Sequence, residues 1–165
     1  LPNGVALSPN ERLVFFVSGP NIYRLDRTSG LVSVALGNLP AIADNIRPRH
    51  GRAHRYLLGC VTRRSAPFAI VDFLGPYPSL RNLVHALVPE WLLIKLVPRM
   101  GLVLEVDLTP GSERLVRTFQ NRASTGVAFI SEAEVSPLDG YVYMGSWKER
   151  GLARIPEREL FSSLE

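Results

Sequence analysis

The sequence has a single cysteine, Cys60, and no Asn-x-Ser/Thr acceptor. One cysteine excludes a disulfide within the chain, and no cysteine–histidine spacing typical of a zinc site occurs. N-glycosylation of this stretch is therefore not expected. The sequence also lacks an initiator methionine and a signal peptide, and we expect residues 1–165 to be a fragment of a longer protein.

Long hydrophobic runs are also missing. The most apolar stretch, 83–97, is interrupted by Pro89, Glu90 and Lys95, and it is too short to cross a bilayer. The sequence contains no P-loop, dinucleotide fingerprint, zinc-hydrolase helix or recognisable nucleophile motif. The sequence therefore does not support assignment to the enzyme classes that these motifs define.

Charge gives little indication of function. There are 19 Lys and Arg against 15 Asp and Glu, a net charge of +4, and 46% of residues are hydrophobic, as in a soluble globular protein. No aromatic or recognition-helix context accompanies the basic residues, so we predict no nucleic-acid partner. We interpret their one cluster as a solvated turn, with an anion-attracting rim as the alternative. The cluster comprises Arg47, Arg49, His50, Arg52, His54, Arg55, Arg63 and Arg64.

Short β-rich segments dominate the chain, rich in Val, Ile, Tyr and Phe and bounded by turn residues. Sequences such as Asp139-Gly140 suit tight turns between antiparallel strands. This pattern argues for a sandwich, barrel or propeller, and the grouping favours about three four-stranded propeller blades. The predicted strands are 4–7, 13–18, 21–26, 31–36, 55–62, 68–73, 102–108, 114–119, 127–133, 141–147 and 151–155.

The segment 78–97 departs from this all-β pattern. Its apolar residues recur at helical spacing. Ser79 can cap the start, Pro89 kinks or divides the helix, and Pro98 ends it. We therefore expect a helical insertion between two strands of one blade. Its apolar stripe requires a cover, for which we predict the propeller face, with a membrane surface as the alternative.

A polar phrase repeats about forty residues apart, a period typical of propeller blades. Asn3-Gly4 opens one strand-like stretch, and Asp44-Asn45 takes the same place one repeat later. We interpret both as short polar turns at blade starts, which converge on the axis of a propeller. Their amide and carboxylate oxygens suit calcium, so Asn3, Asp44 and Asn45 are candidate ligands. The alternative for each is a residue that only stabilises its own turn.

Two carboxylates, Glu132 and Glu134, flank Ala133 in a predicted strand. Residues two apart in a strand face the same side, so both could face the channel or both could face solvent. A buried carboxylate near other charges can act as a general base. We therefore take Glu132 and Glu134 as the candidate catalytic residues, with solvent-facing strand charges as the alternative.

Five motifs stand in order along the chain. They are Pro2-Asn3-Gly4-Val5-x-Leu7-Ser8-Pro9, Asp44-Asn45-Ile46-Arg47-Pro48, Val97-Pro98-Arg99-x-Gly101-Leu102-Val103-Leu104-Glu105, Ile130-Ser131-Glu132, and Asp139-Gly140-x-Val142-Tyr143-x-Gly145-Ser146. In this order they resemble the strictosidine synthase-like family, and most closely its animal branch. The resemblance covers essentially the whole chain and implies the C-terminal half of a single propeller domain.

The resemblance implies a six-bladed propeller related to calcium-dependent paraoxonases and gluconolactonases. In those relatives the Asn of the Asn-Gly motif and the Asp-Asn pair bind the central calcium, and Asn3, Asp44 and Asn45 match them. A further Glu ligand and the His dyad of paraoxonases would lie upstream. The resemblance also implies a membrane anchor outside this chain, with the propeller in the secretory lumen or outside the cell.

Three functions follow as expectations. The first is a calcium-dependent hydrolase of esters or lactones, because arylesterase activity is assigned in the animal branch. The second is a non-catalytic propeller that binds a partner or glycan. The third is condensation of an amine with an aldehyde, as in the plant enzymes, on Glu132 or Glu134. The stretch 131–140 is longer than the plant pattern, which disfavours the third.

Overall fold

The computed structural model describes residues 2–64, 74–95, 97–121 and 126–161. Strands dominate these residues, and three short helices accompany them. The strands are β1 (Val5–Leu7), β2 (Leu13–Ser18), β3 (Asn21–Asp26), β4 (Val32–Leu36), β5 (Ala41–Pro48), β6 (Arg55–Arg63), β7 (Leu102–Asp107), β8 (Arg114–Gln120), β9 (Ile130–Val135), β10 (Tyr141–Ser146) and β11 (Leu152–Pro156). The helices are α1 (Pro78–Leu87), α2 (Glu90–Lys95) and α3 (Glu157–Phe161).

Consecutive strands pair into three antiparallel sheets. Sheet 1 has the order β1-β2-β3-β4, sheet 2 the order β5-β6-β7-β8, and sheet 3 the order β9-β10-β11 in the described residues. Each sheet is a meander whose first strand lies at one edge, which is the construction of a propeller blade. The predicted all-β architecture of about three blades is confirmed.

Buried residues of sheet 1 alternate with partly exposed ones along β2. In β2, Phe15 and Val17 are buried while their neighbours are partly exposed, as expected when one face of a strand packs on a core. A two-residue turn joins β2 to β3, with Ser18 opposite Asn21. That turn requires a positive φ at its first residue, which Gly19 supplies at 59°.

Sheet 2 lies between the other two sheets and is covered on both faces. One face of β6 and β7 packs against sheet 1, through residues that include Tyr56 and Leu104. The opposite face packs against sheet 3 through Leu57 and Val103. Because both faces are covered, all six residues of β7 are buried. Apolar packing between the sheets therefore fixes how the three blades stand next to one another.

The helical insertion is confirmed between β6 and β7, which still pair directly within sheet 2. Helix α1 begins at Pro78, after Tyr77 rather than after Ser79, and no side chain caps its start. The predicted cover for its apolar stripe is wrong for the described residues, because Leu83, Leu87 and Trp91 are exposed. The insertion connects the adjacent ends of β6 and β7, so its apolar stripe does not pack in the core between the sheets.

Two strand predictions are corrected. Residues 42–48 were expected as a polar turn, but they belong to β5, which accommodates Asp44 and Asn45 through irregular pairing with β6. The strand predicted at 127–133 begins only at Ile130, because Phe129 has a positive φ of 53° that extended backbone does not allow. The strand predicted at 68–73 lies outside the described residues, and helix α3 was not predicted.

The basic cluster is not simply a solvated turn. Arg47, Arg49 and Arg55 form ion pairs with carboxylates of neighbouring strands and of α3. Arg49 is the most buried of them: its Nη1 donates to Oε1 of Glu105 at 2.6 Å, and its guanidinium lies 3.6 Å from the ring centre of Phe161. These contacts hold α3 against sheet 2 and leave less free positive charge than the sequence implied.

Candidate functional site

The first strands of the three sheets, β1, β5 and β9, lie side by side. Just before β1, the backbone N–H of Gly4 donates to the carbonyl oxygen of Asp44 in β5 at 3.0 Å. On the other side, the backbone of Ser131 and Glu132 in β9 lies against Gly59 in β6. The inner edges of the sheets therefore meet where the polar residues of the repeat are found.

The structure brings Asn3 and Asp44 into direct contact. Nδ2 of Asn3 donates to Oδ1 of Asp44 at 2.8 Å. This bond uses the amide nitrogen of Asn3, so its amide oxygen is left to face another group. The Oδ1 atom of Asn45 lies next to Gly4 as well. The three candidate ligands thus come from two adjacent sheets and lie in one place.

A β-bulge explains how Asp44 and Asn45 fit into a strand. Ala43 pairs with Cys60 and Ile46 pairs with Leu58, so Asp44 and Asn45 together oppose a single residue, Gly59. A bulge of this kind bends the strand and changes the direction of its side chains. Two adjacent polar residues can then leave the apolar face of β5 without interrupting the rest of the sheet.

Two glycines allow the inner strands to approach this closely. A Cβ atom added to Gly4 would lie 2.5 Å from Cα of Asn45, and one added to Gly59 would lie 2.4 Å from the carbonyl carbon of Ser131. Both neighbours are backbone atoms, which cannot rotate away as a side chain can. The glycines therefore serve close packing of adjacent sheets around the bulge.

Charge at the site comes from three side chains. Glu132 accepts a hydrogen bond from Nε of Arg47, so the third sheet is joined to the second beside Asp44. Burial and, to a smaller extent, the negative charge of Glu132 raise the pKa of Asp44 above its ordinary value. Within the described ranges, no Lys, Arg or His side chain forms an ion pair with Asp44. This carboxylate is therefore partly buried without a cationic partner.

The two predicted catalytic carboxylates have different surroundings. Glu132 is partly buried and bonded to Arg47, whereas Glu134 is exposed. Glu134 lines an open groove with Ser136 and Tyr143. Their shared side of the strand thus does not give them a shared site, because only Glu132 lies at the junction of the three sheets.

The sequence resembles vertebrate proteins along most of its length. Adipocyte plasma membrane-associated protein of Rattus norvegicus is 34% identical over 161 residues, covering 93% of this chain and 41% of the relative. The proteins of the same name from Mus musculus and Homo sapiens are 33% and 34% identical, again over 93% of this chain. No protein-family model matches the chain.

This chain belongs to the strictosidine synthase-like family. It spans 41% of the length of the rat relative and 37% of the mouse and human relatives. The family resemblance seen in the five sequence motifs is thus confirmed. No helix among the described residues has the length and apolar character needed to cross a bilayer.

The donor set of this strictosidine synthase-like chain fits a hard cation. In the described part of the chain, no three His, Cys, Asp or Glu side chains come together as a metal cluster. The oxygens available are instead the carboxylate of Asp44 and the amides of Asn3 and Asn45, with the carboxylate of Glu132 nearby but bonded to Arg47. Calcium accepts such mixtures of carboxylate and neutral oxygens. The unpaired, partly buried charge of Asp44 is the feature that a cation would neutralise.

Arg47 and Cys60 also lie at the site, although the sequence pattern alone does not place them there. Arg47 was assigned to a solvated turn, although its place two residues after Asn45 puts it on the same side of a strand. Cys60 lies beneath the bulge, where burial, and to a smaller extent the charge of Asp44, raises the pKa of its thiol. A thiol held protonated in this way is not a nucleophile.

Proposed function

We propose that this chain supplies part of the central cation site of a calcium-dependent hydrolase that acts on esters or lactones. The observation that carries the proposal is the hydrogen bond between Asn3 and Asp44, which joins two inner strands at a bulge. Asn45 adds a further oxygen at the same junction, and Glu132 places a second negative charge beside it. Calcium is the cation that such oxygens favour.

Each residue has a separate part in this proposal. Asp44 supplies the charge that attracts the cation, and Asn3 fixes the Asp44 carboxylate by donating to it. Asn45 is held against Gly4, so its backbone position is set by close packing. When bound, calcium would polarise the ester carbonyl toward attack by water. In this proposal the residues described here hold and orient the cation, and none of them acts as a nucleophile.

Association with a membrane is also part of the proposal. The relatives are named plasma membrane-associated proteins, and this chain covers less than half of their length. We place the membrane attachment in a segment outside this chain, with the propeller in the secretory lumen or outside the cell. Protease protection of the full-length protein in sealed microsomes measures that orientation, and digestion of the propeller without detergent contradicts it.

Hydrolysis by the full-length protein tests the function. We expect cleavage of phenyl acetate or of an aromatic lactone in calcium, and loss of the activity after chelation. Replacing Asp44 by Asn removes the charge at nearly constant size, and we expect roughly a tenfold or larger fall in activity at fixed calcium. The matched control is Asp26→Asn on the outer hairpin of sheet 1, which we expect to be active. Equal hydrolysis by the Asp44 variant and the parent contradicts the proposal.

A second candidate is a non-catalytic propeller that binds a protein partner. The observation that favours it is the apolar stripe of α1 and α2, on which Leu83, Leu87 and Trp91 are exposed. Absence of hydrolysis across esters and lactones, together with retained calcium binding, would favour this candidate. No observation favours the amine–aldehyde condensation, because Glu132 is bonded to Arg47 and Glu134 is exposed.

A further inference from the structure

Arg47 and Glu132 form the only ion pair, among the described residues, that joins the inner strands β5 and β9. Arg47 lies in β5 two residues beyond the Asp44–Asn45 bulge, and Glu132 lies in β9. Both side chains are partly exposed, with 39% and 34% of their surface accessible. Because the pair lies beside the candidate cation site, its charges act on that site.

Backbone packing fixes Glu132 near the bulge. Gly59 is the residue opposite Asp44 and Asn45 in the pairing of β5 with β6. A Cβ on Gly59 would lie 2.5 Å from the backbone nitrogen of Glu132. Because Gly59 lies next to the bulge of β5 on one side and next to Glu132 on the other, the bulge and Glu132 are close to one another.

The charges at this junction have opposite effects on a cation. The negative charges of Asp44 and Glu132 attract it, whereas the positive charge of Arg47 repels it. Arg47 also cancels most of the field of Glu132, because the two groups are in contact. The strength of the site then depends on the balance of the pair as well as on its ligands.

We propose that Arg47 and Glu132 are a charge-balancing pair that sets the calcium affinity of the Asn3–Asp44–Asn45 cluster. The inference rests on the cation site proposed above. Arg47 keeps Glu132 in place and offsets its charge, so that the cluster carries the net charge of Asp44 alone. Neither residue is a ligand in this account; both act on the cation through charge.

The proposal predicts single substitutions with opposite signs. Arg47→Gln leaves Glu132 uncompensated and is expected to tighten calcium binding roughly 3- to 10-fold. Glu132→Gln leaves Arg47 uncompensated and is expected to weaken binding by a similar factor, roughly 3- to 10-fold. The double variant restores the balance and is expected to bind calcium within about twofold of the parent.

Titration calorimetry of the full-length protein with calcium chloride measures these affinities. Thermal unfolding in the presence of a chelator shows whether each variant is folded before calcium is added. The matched controls are Arg12→Gln and Asp26→Asn, each of which breaks an ion pair of 2.7 Å between the residue before β2 and the last residue of β3, away from the inner strands. We expect both controls to keep the parent affinity.

The possible results separate this inference from the proposed function. If the parent protein shows no calcium binding, the cation site is wrong and this inference with it. If the parent binds calcium but both single variants keep its affinity, only the charge-balancing pair is overturned. If both single variants weaken binding, the pair has a structural role instead. If the double variant binds as weakly as Glu132→Gln alone, Glu132 is a direct ligand and the balancing role is wrong.

Discussion

Sheet 2 and sheet 1 are built from similar strands but differ in how much of each is covered. All six residues of β7 in sheet 2 are buried, including Glu105 and Asp107. In β3, which holds the same third place in sheet 1, only Ile22 is buried. The difference follows from packing, because sheet 2 has another sheet against each of its faces, whereas in the described residues sheet 1 packs only against sheet 2.

Charged groups follow the same division. In sheet 2, Glu105 has 2% of its side chain exposed and bonds Arg49, which is itself mostly buried. In sheet 1, Arg12 pairs with Asp26 at the surface, where solvent weakens such contacts. Polar interactions in sheet 2 therefore specify how α3 and the strands fit together, whereas those in sheet 1 mainly organise a hairpin.

The largest effect is expected where sheet 2 meets sheet 3. In Gly59→Ala the new Cβ would lie 2.4 Å from backbone of Ser131, so the two sheets must separate. We expect a loss of unfolding free energy of about 3 kcal/mol or more. Chemical denaturation followed by intrinsic fluorescence measures it.

The control for this change is Gly145→Ala in β10. No atom lies within 4 Å of a Cβ built at Gly145. We expect a change in unfolding free energy of less than about 0.5 kcal/mol there. Equal stability losses in the two variants would show that close approach at Gly59 is not what holds the sheets together.

Truncating one side chain on each of the two sheets is expected to give unequal losses of unfolding free energy. Leu104 in β7 is fully buried, and we expect Leu104→Ala to cost about 2–5 kcal/mol. Val34 in β4 is 51% exposed, and we expect Val34→Ala to cost less than about 1 kcal/mol. Thermal denaturation of both variants measures the contrast. A large loss at Val34 would mean that its face is covered in the intact protein.

The smallest effect concerns the exposed pair of sheet 1. The hydrogen bond from Arg12 lowers the pKa of Asp26 from 3.8 to about 2. A lowered pKa means that the ionised carboxylate favours the folded state, a contribution present above pH 4 and lost as pH falls toward 2. We expect Asp26→Asn to lower the melting temperature slightly at pH 6 and not at pH 2. A difference that grows on acidification contradicts this assignment.

The sequence predicts strands best where turn residues bound a short β-rich segment. The bounds of β2 and β3 agree with the prediction because Gly19-Pro20 separates the two segments. In β5 the polar pair Asp44–Asn45 interrupts the β-rich segment, and only pairing with β6 shows that a bulge absorbs it. Local pattern therefore fails where a strand is shaped by its partner.

Of the contacts at the candidate site, the sequence predicts one and not the other. The contact of Asn3 with Asp44 could be anticipated, because both occupy the same place in a repeat whose starts converge. The contact of Arg47 with Glu132 could not, because it requires sheet 3 to approach Gly59 at one register. Nothing local in the sequence around Glu132 specifies that register.

The helical insertion that contains α1 and α2 lies between β6 and β7, which pair with one another as a hairpin. β6 and β7 keep an uninterrupted register from the pair Arg55–Asp107 to the pair Cys60–Leu102, although roughly forty residues separate the two strands and loop-closure entropy grows only slowly with length. Proteins with this arrangement can therefore lengthen, shorten or replace the helical insertion during evolution while the inner strands keep their geometry.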